Sequence, residues 1–341
     1  MTHSIALNFE DGVTRFVEAR PGETIADASY RLGINIPLDC RDGACGTCKC
    51  RVESGSFDGG SYIEDALTDE EAASGLALAC QARPKTDLVV AIPAASTACK
   101  TRPQSFPTVL RGVERLSDTS LAFTLDRPVG LAFLPGQYVN LGVPGTEQRR
   151  SYSFSSAPGA DTLSFLVRDI PGGLMSGWLR AAEAGMAMEF TGPSGSFYLR
   201  DVTRPVLFLA GGTGLAPFLS MLGRLAEAGC AQPLRLVYGV TNDADLVGLE
   251  ELEAYAARLP DFSFVTIVAA EGSAHPRKGY VTAHVEPAWL NGGDVDVYLC
   301  GPPPMVEAVR SWLGANGVTP AAFHFEKFSP SGNANGGKLA A

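Results

Sequence analysis

The stretch DCRDGACGTC, residues 39–48, decides the fold of the first part of the chain. It sets three cysteines in the order C-x4-C-x2-C, a spacing that fits a plant-type 2Fe-2S cluster when a lone cysteine follows further along. Gly43 and Gly46 allow the tight, left-handed turns that wrap thiolates around a cluster. The predicted metal ligands are Cys40, Cys45, Cys48 and Cys80.

Three other interpretations of these cysteines stay open: a zinc site on the C-x2-C pair, a disulfide framework, and chance clustering of buried thiols. Zinc rarely uses this asymmetric spacing, and a chain of 341 residues needs no disulfides to be stable. Cys50, Cys99 and Cys230 have no partner spacing, so we expect them to be structural.

Length and composition predict a globular protein of three units. A chain of 341 residues is too long to fold around one ordinary hydrophobic core. Its composition, 45% hydrophobic and 19% charged residues, provides enough apolar side chains for several cores. Residues 1–5 show no basic stretch followed by an apolar run, so no secretory signal is expected. We therefore expect the reducing cytoplasm, where the eight cysteines are metal ligands or buried thiols.

The net charge of -10 is concentrated at the cysteine-bearing end. Residues 1–95 contain 15 of the 37 acidic side chains but only 8 of the 27 basic ones. The charge argues against a nucleic-acid partner and is compatible with steering toward a basic protein. The densest acidic stretch, and the candidate for partner contact, is Glu64, Asp65, Asp69, Glu70 and Glu71.

An uncharged run over residues 206–223 raises the possibility of a membrane span. Gly211 to Gly214 and Pro217 break this run into a short apolar strand, a glycine loop and a helix start. A glycine loop exposed to lipid would leave its backbone groups unpaired, so no membrane partner is expected.

The pattern of short elements changes twice along the chain. Residues 5–9 and 14–19 predict strands joined by the turn at Asp11-Gly12, a helix follows Pro21-Gly22, and residues 87–92 predict a closing strand. Residues 121–125, 138–141 and 163–168 predict a small antiparallel barrel. The apolar runs at 206–210, 235–240, 263–268 and 296–300 predict parallel strands of a doubly wound sheet.

The predicted fold is therefore multidomain. The first unit is of the α+β class and resembles the β-grasp of plant-type ferredoxins, the second is an antiparallel β-barrel, and the third is an α/β doubly wound parallel sheet. The predicted boundaries are 1–95 for the ferredoxin, 96–107 for a linker, 108–202 for the barrel, 203–329 for the doubly wound sheet and 330–341 for a flexible tail; the motifs below assign a flavin to the barrel and NAD to the doubly wound sheet.

Three later motifs carry a family resemblance. Arg150-Ser151-Tyr152-Ser153, Gly211-Gly212-Thr213-Gly214 and Cys300-Gly301-Pro302-Pro303-Pro304-Met305 resemble the signatures of ferredoxin-NADP reductase-type flavoproteins. With the ferredoxin module in front, the order resembles the reductase components of benzoate, toluate and anthranilate 1,2-dioxygenases. The resemblance covers essentially the full chain up to about residue 329.

The barrel motif has a physical interpretation beside the resemblance. Arg150 offers a rigid fork of donors for a flavin pyrophosphate, Tyr152 a flat face for the ring, and Ser153 a hydroxyl for flavin N5. The resemblance implies the same roles, and it places Tyr138 in the strand leading into the flavin site. It also implies that backbone amides near Gly173, Met175 and Ser176 meet the pyrophosphate. These matches and the domain order favour FAD over FMN.

The glycine motif predicts a phosphate cradle for a dinucleotide. A strand ends in Gly211, Gly212, Thr213 and Gly214, and a helix starts near Pro217, so backbone N–H groups converge on one point. Asp243 and Asp245 follow the next strand, where they would repel a 2′-phosphate, and that segment has no Arg or Lys to pair with one. NADH is therefore expected over NADPH.

The last motif implies a nicotinamide pocket. Gly301, Pro302 and Met305 form a rigid turn that would hold Cys300 at the carboxyl ends of the strands, and the resemblance places Cys300 next to the nicotinamide. Residues 323–328 match the segment that covers the flavin face in relatives. There Glu326 is expected to organise the pocket and Phe328 to stack near the ring. The catalytic candidates are Ser153, Cys300 and Glu326.

The sequence thus predicts a reductase that carries electrons from NADH to FAD, then to the 2Fe-2S cluster, and finally to a Rieske non-haem iron oxygenase of the benzoate type. A flavin reconciles two-electron donation by NADH with one-electron acceptance by iron. Three alternatives remain: a reductase for a di-iron phenol- or methane-type monooxygenase, a redox-sensing cluster protein without NADH turnover, and a disulfide-rich binding protein.

Overall fold

A computed structural model describes residues 2–38, 41–44, 46–99 and 104–328. Two of the predicted cluster ligands, Cys40 and Cys45, and the predicted tail at 330–341 lie outside the described residues. The elements of the first module are β1 (His3–Phe9), β2 (Thr14–Ala19), α1 (Ile25–Arg31), β3 (Lys49–Ser54), β4 (Phe57–Asp58), α2 (Asp69–Ala73), β5 (Leu76–Leu78), β6 (Arg83–Pro84) and β7 (Leu88–Ile92).

The first module is a mixed sheet with α1 beside it. Its strand order is β2-β1-β7-β3-β5, with β1 parallel to β7 and its other pairs antiparallel. Gly12 has a φ of 75° in the turn between β1 and β2, as the Asp-Gly signal predicts. The helix begins later than Gly22, because Thr24 caps it: the Asp27 N–H donates to Thr24 Oγ1 at 3.1 Å. The predicted β-grasp is confirmed.

The second module is an antiparallel barrel. Its elements are β8 (Gln104–Arg115), β9 (Ser120–Asp126), β10 (Tyr138–Gly142), β11 (Arg149–Ser153), β12 (Thr162–Arg168), α3 (Leu174–Ala181) and β13 (Ala187–Ser194). The strand order is β11-β10-β13-β8-β9-β12, and a bridge between Phe154 and Phe165 joins the two ends of the sheet. Phe123 stacks on Phe165 in the core with ring centroids 4.9 Å apart. Strand β8 already begins at Gln104, inside the stretch predicted as a linker.

The third module is a parallel sheet with helical crossovers. Its elements are β14 (Val206–Gly211), α4 (Ala216–Ala228), β15 (Leu234–Val240), α5 (Leu249–Arg258), β16 (Phe262–Val268), β17 (Asp296–Gly301), α6 (Pro303–Ala315) and β18 (Ala322–Lys327). The order β16-β15-β14-β17-β18 reverses direction at β14, as in doubly wound folds. The sequence predicts every strand of this sheet to within one residue except β18. Because β18 is an edge strand and is half-buried along its whole length, it carries no apolar run.

The uncharged run at 206–223 folds as strand β14, a 3-10 turn at Gly212–Leu215 and the first part of α4. Among the described residues, the structure contains no helix with both the length and the apolarity needed to cross a bilayer.

Candidate functional site

Two of the four predicted cluster ligands, Cys48 and Cys80, are described and lie side by side in the first module. Cys48 and Cys80 are 3% and 7% exposed, and the Cys80 N–H points at Cys48 Sγ over 3.5 Å. Gly43 has a φ of +83°, and a Cβ there would lie 2.5 Å from the carbonyl oxygen of Ser61. Only glycine fits that turn. Thiols held together with a backbone donor aimed at sulfur suit a 2Fe-2S cluster.

The other cysteines have different surroundings. Cys50 points away into the module's core, and its thiol approaches the carbonyl oxygen of Ala77 at 3.5 Å. Burial, and secondarily Cys48, raises the pKa of the Cys50 thiol far above its usual range. Burial also raises the pKa of Cys99 to about 12. Within the described ranges, Cys50, Cys99, Cys230 and Cys300 form no disulfide, which argues against a disulfide framework.

The predicted flavin residues lie on β11 and its neighbour β10. In the antiparallel pair, Tyr138 stands opposite Ser153 and Val139 opposite Tyr152. Tyr152 is half-buried, with the edge of its ring against Phe123 at 6.1 Å, and burial raises its pKa. Arg150 is partly exposed and donates to Gln148 Oε1 at 2.6 Å. The strand thus offers an arginine fork and an aromatic ring on one face, as a flavin nucleotide needs.

The segment predicted to meet the pyrophosphate starts helix α3. Gly173 is its N-cap, and a Cβ there would lie 2.6 Å from Ser176 Oγ. The Ser176 hydroxyl donates to the carbonyl oxygen of Ile170 at 3.0 Å, and Met175 is buried in the barrel core. The side chains of Ser176 and Met175 are therefore engaged within the protein. The groups available to a pyrophosphate at the start of α3 are its first backbone N–H groups, which favour an anion.

The three predicted catalytic residues converge where the barrel meets the parallel sheet. Ser153 Oγ donates to Glu326 Oε2 at 3.2 Å, although the two residues lie 173 positions apart. Glu326 on β18 stands beside Cys300 on β17 in the parallel register. Cys300 is fully buried, and burial, with a further contribution from Glu326, holds the pKa of its thiol well above the ordinary value. Cys300 is therefore a neutral thiol.

The two nucleotide motifs touch each other. A Cβ on Gly211 would lie 2.5 Å from Met305 Sδ, and one on Gly214 would lie 2.4 Å from the carbonyl oxygen of Cys300. Pro217 occupies the first turn of α4, and Pro302 is the N-cap of α6. Gly212 and Thr213 belong to the 3-10 turn, and Gly301 ends β17. The close backbone approach leaves a glycine-lined cradle between two helix starts, which fits a dinucleotide phosphate.

The two aspartates predicted to exclude a 2′-phosphate have different contacts. Asp243 is exposed and accepts a hydrogen bond from Ser273 Oγ at 2.7 Å. Asp245 caps its own turn through the Asn242 N–H at 2.9 Å and accepts a hydrogen bond from Thr119 of the barrel. Asp245 therefore serves the contact between the modules, and Asp243 is the carboxylate left to face a nucleotide.

The predicted ring partner at the end of the chain packs against the parallel sheet. The Phe328 N–H donates to the carbonyl oxygen of Gly301 at 2.9 Å, and its half-buried side chain contacts the core of that sheet. A cavity of about 550 Å³ separates β18 from the first module and reaches from Glu326 to Gly46 and Thr47. Its volume is that of a small-molecule pocket, but neither Arg150 nor Tyr152 lines it.

The sequence missed the contacts that join the first module to the other two. Tyr138 is buried, and its hydroxyl donates to the carbonyl oxygen of Leu38 at 3.2 Å. Glu71 accepts from Lys49 Nζ and from Arg310 of α6, both at 2.7 Å. Glu71 was predicted as a candidate for partner contact, and the structure pairs its carboxylate with two cations within the chain. No local sequence signal marks either contact.

Comparison with protein-family models gives three consecutive matches. A 2Fe-2S iron-sulfur cluster binding domain covers residues 8–85, an oxidoreductase FAD-binding domain covers residues 109–198, and an oxidoreductase NAD-binding domain covers residues 208–311. These matches confirm the predicted cofactor set of cluster, FAD and NAD, including FAD in preference to FMN.

Relatives and solved structures match over nearly the whole chain. The toluate 1,2-dioxygenase electron transfer component of Pseudomonas putida is 55% identical over 97% of this chain and 100% of its own. The 2-halobenzoate 1,2-dioxygenase electron transfer component of Burkholderia cepacia is 52% identical over 97% of this chain and 99% of its own. The crystal structure of Amycolatopsis cytochrome P450 reductase GcoB matches with a TM-score of 0.71 and 35% identity, covering 96% of this chain and 100% of the other. The chain belongs to the family of aromatic 1,2-dioxygenase electron transfer components, which are flavoprotein reductases of the ferredoxin-NADP reductase type.

Proposed function

We propose that this chain takes a hydride from NADH and delivers single electrons through FAD and a 2Fe-2S cluster to a Rieske non-haem iron oxygenase of the benzoate type. The observation that carries the proposal is a line of contacts from nucleotide cradle to cluster loop. Cys300 adjoins Glu326, Glu326 accepts from Ser153 at 3.2 Å, Ser153 pairs with Tyr138, and Tyr138 donates to Leu38 at 3.2 Å.

The residues assigned to FAD bind and orient it. Arg150 and the N-terminal amides of α3 hold the pyrophosphate, and Tyr152 supports the ring. When bound, FAD accepts two electrons as a hydride and releases them one at a time, which no side chain of the protein can do.

The residues assigned to the hydride site shape the nicotinamide pocket. Ser153 is 4% exposed, and its hydroxyl donates to Glu326, which fixes the position of the Ser153 oxygen in the pocket where the flavin ring would lie. Cys300 presents a neutral thiol, which adds no charge beside a hydride in transfer. Glu326 fixes the Ser153 hydroxyl and closes the pocket on the side of the cavity.

The predicted cluster ligands supply thiolates from a loop whose turn at Gly43 only glycine can adopt. Cys48 and Cys80 are the described ligands, and we propose Cys40 and Cys45 as the other two. Bound there, the 2Fe-2S cluster stores one electron at a time. The thiolate ligands suit the reducing cytoplasm, where we place the protein.

The preference for NADH is attributed to Asp243. Its carboxylate is exposed beside the strand end where a 2′-phosphate would lie, and Ser273 holds it in place. Like charges repel, so a phosphate is disfavoured and a ribose hydroxyl, which can donate to the carboxylate, is favoured.

The proposed domain boundaries are 1–95, 108–202 and 203–329, with β8 extending the barrel back to Gln104. Each module carries one redox group or nucleotide, so the boundaries also divide the reaction into hydride acceptance, electron separation and export.

The partner is tested by supplying purified oxygenases to the loaded reductase. NADH-driven benzoate dihydroxylation is expected with a benzoate-type Rieske oxygenase, and no turnover is expected with a di-iron phenol hydroxylase. Ferricyanide reduction serves as the control, since it needs no protein partner. Turnover with the di-iron hydroxylase alone would overturn the assignment of the partner, and failure to reduce ferricyanide would overturn the reductase function itself.

A further inference from the structure

Tyr138 crosses the boundary between the barrel and the first module. The residue is 4% exposed, and its hydroxyl donates to the carbonyl oxygen of Leu38 at 3.2 Å. Leu38 is 6% exposed within the core of the first module and precedes the ligand position Cys40 by two residues. The hydroxyl therefore holds the chain at the point where the cluster loop begins.

The other end of Tyr138 is fixed beside the hydride site. Its backbone pairs with Ser153 in the β10–β11 ladder. Gly195, with a φ of +99°, lies against the ring: a Cβ there would lie 2.9 Å from the ring and 3.8 Å from Glu326 Oε1. The ring thus fills the space next to the Ser153 and Glu326 pair, and a larger residue than glycine would push it out.

We propose that Tyr138 is a positioning residue that sets the separation between the flavin side and the cluster loop. The inference rests on the proposed function. Tyr138 is not itself oxidised and keeps its proton and its electrons, and the electron transfer that it supports would run between FAD and the 2Fe-2S cluster once both were bound. Tyr138 bridges strand β10 and the start of the loop through the hydrogen bond from its hydroxyl to Leu38.

The physical reason is the steep fall of electron-transfer rate with separation. A loop tied only by its own turns opens locally, and each opening lengthens the path. A buried hydroxyl–carbonyl bond opposes that opening, because breaking it leaves a carbonyl without its donor in a dry environment. It carries no net charge, so salt does not screen it.

The chain offers a matched control at Tyr198. This tyrosine is also 4% exposed and also forms a hydrogen bond across the same boundary, accepting from the Ala95 N–H at 2.6 Å. Ala95 lies well outside the cluster loop in sequence. Tyr138→Phe and Tyr198→Phe each remove one buried hydroxyl and keep the ring. Only Tyr138→Phe removes a hydrogen bond to the residue that precedes the cluster loop.

Hydrogen–deuterium exchange of the fully loaded protein gives the first readout. Loss of one hydrogen bond should make amides at residues 34–38 exchange about fivefold faster in Tyr138→Phe. In Tyr198→Phe the faster exchange should be confined to residues 94–96. Unchanged exchange at 34–38 in Tyr138→Phe would overturn the inference.

Anaerobic stopped-flow spectroscopy gives the second readout. With NADH, the rate of cluster reduction relative to the rate of flavin bleaching in the same trace should fall about fivefold in Tyr138→Phe alone. Equal slowing in Tyr198→Phe, or none in either variant, would overturn the positioning role. If the wild-type cluster is not reduced by NADH at all, the proposed function fails, and exchange at 34–38 still tests the hydrogen bond.

Discussion

The first module contacts its two neighbours by different chemistry. Toward the barrel, the contact consists of buried tyrosines: Tyr138 donates to Leu38, and Tyr198 belongs to the core of the first module. Arg200 stacks on Tyr198 at 3.7 Å and reaches Glu10 at 3.3 Å. We call this the tyrosine contact.

Toward the parallel sheet, the contact is ionic. Glu71 binds Lys49 and Arg310, and Lys327 donates to the carbonyl oxygen of Asp65 while pairing with Glu307 at 3.0 Å. We call this the ionic contact. Beside it lies the cavity of about 550 Å³.

The difference follows the direction of electron flow. The tyrosine contact lies between the flavin residues and the cluster loop, where a fixed distance matters, and it depends on burial. The ionic contact lies beside a cavity and depends on charges that salt and pH weaken. The first module is therefore held by buried groups toward the barrel and by charged groups toward the parallel sheet.

The largest effect should come from Tyr198→Ala in the tyrosine contact. The change deletes a buried ring, the stacking of Arg200 and the acceptor for the Ala95 N–H, at a cost of about 3 kcal/mol. The temperature at which the cluster's visible absorbance is lost should fall by roughly 10 °C or more. Tyr280→Ala, at a residue 75% exposed, is the control and should change little. If Tyr198→Ala and Tyr280→Ala lowered this temperature equally, the tyrosine contact would not stabilise the first module.

The next effect should come from Glu71→Gln in the ionic contact. The variant keeps the shape of the side chain but removes the charge that pairs with Lys49 and Arg310, at a cost of about 2 kcal/mol. The same absorbance assay measures it. Glu70→Gln, on the exposed face of α2, is the matched control and should stay within about 0.5 kcal/mol. If Glu71→Gln were as stable as Glu70→Gln, the ionic contact would not contribute to the stability of the protein.

Acid should erase the difference between wild type and Glu71→Gln. Burial opposes ionisation of Glu71, but hydrogen bonds from Lys49, the Thr68 backbone and Arg310 outweigh it and lower the pKa to about 2. Stabilisation by a carboxylate with a depressed pKa is complete above the unfolded value near 4.5 and is lost as the pH falls toward 2. Urea unfolding followed by tryptophan fluorescence should show the two free energies of unfolding converging below pH 4.5. A gap that stays constant down to pH 3 would contradict the assignment.

Salt should have the smallest effect and should separate the two contacts. Raising NaCl to 1 M should lower wild-type stability by less than about 1 kcal/mol, because the pairs around Glu71 are partly exposed. Glu71→Gln should lose less than wild type under the same change. The cost of Tyr198→Ala should not depend on salt, and a marked dependence would mean that charge rather than burial holds the tyrosine contact.

Local patterns predicted the fold and the elements that carry the candidate site residues. The cysteine spacing predicted the first module, and the glycines at Gly211 and Gly214 predicted a cradle whose close contacts tolerate no Cβ. Strand ends in the parallel sheet follow from runs of buried apolar residues, which each strand carries in its own sequence.

The contacts between modules could not be predicted in this way. Tyr138 lies 100 residues from Leu38, and Arg310 lies 239 residues from Glu71. Neither partner is marked by its neighbours in sequence, so the sequence predicted Tyr138 only as a flavin-site residue and Glu71 only as a candidate for partner contact. Strand β18 was missed for a similar reason, because only its docking beside β17 makes it a strand.

The central claim is that electrons enter as a pair beside Cys300 and leave singly through the cluster. Electron paramagnetic resonance of the anaerobic, fully loaded protein tests it directly, after mixing with NADH and freezing at successive times. The account predicts the signal of a reduced 2Fe-2S cluster, rising after flavin bleaching and absent from a Cys48→Ser variant that still bleaches its flavin. A wild-type cluster that stays oxidised while the flavin is reduced would contradict it.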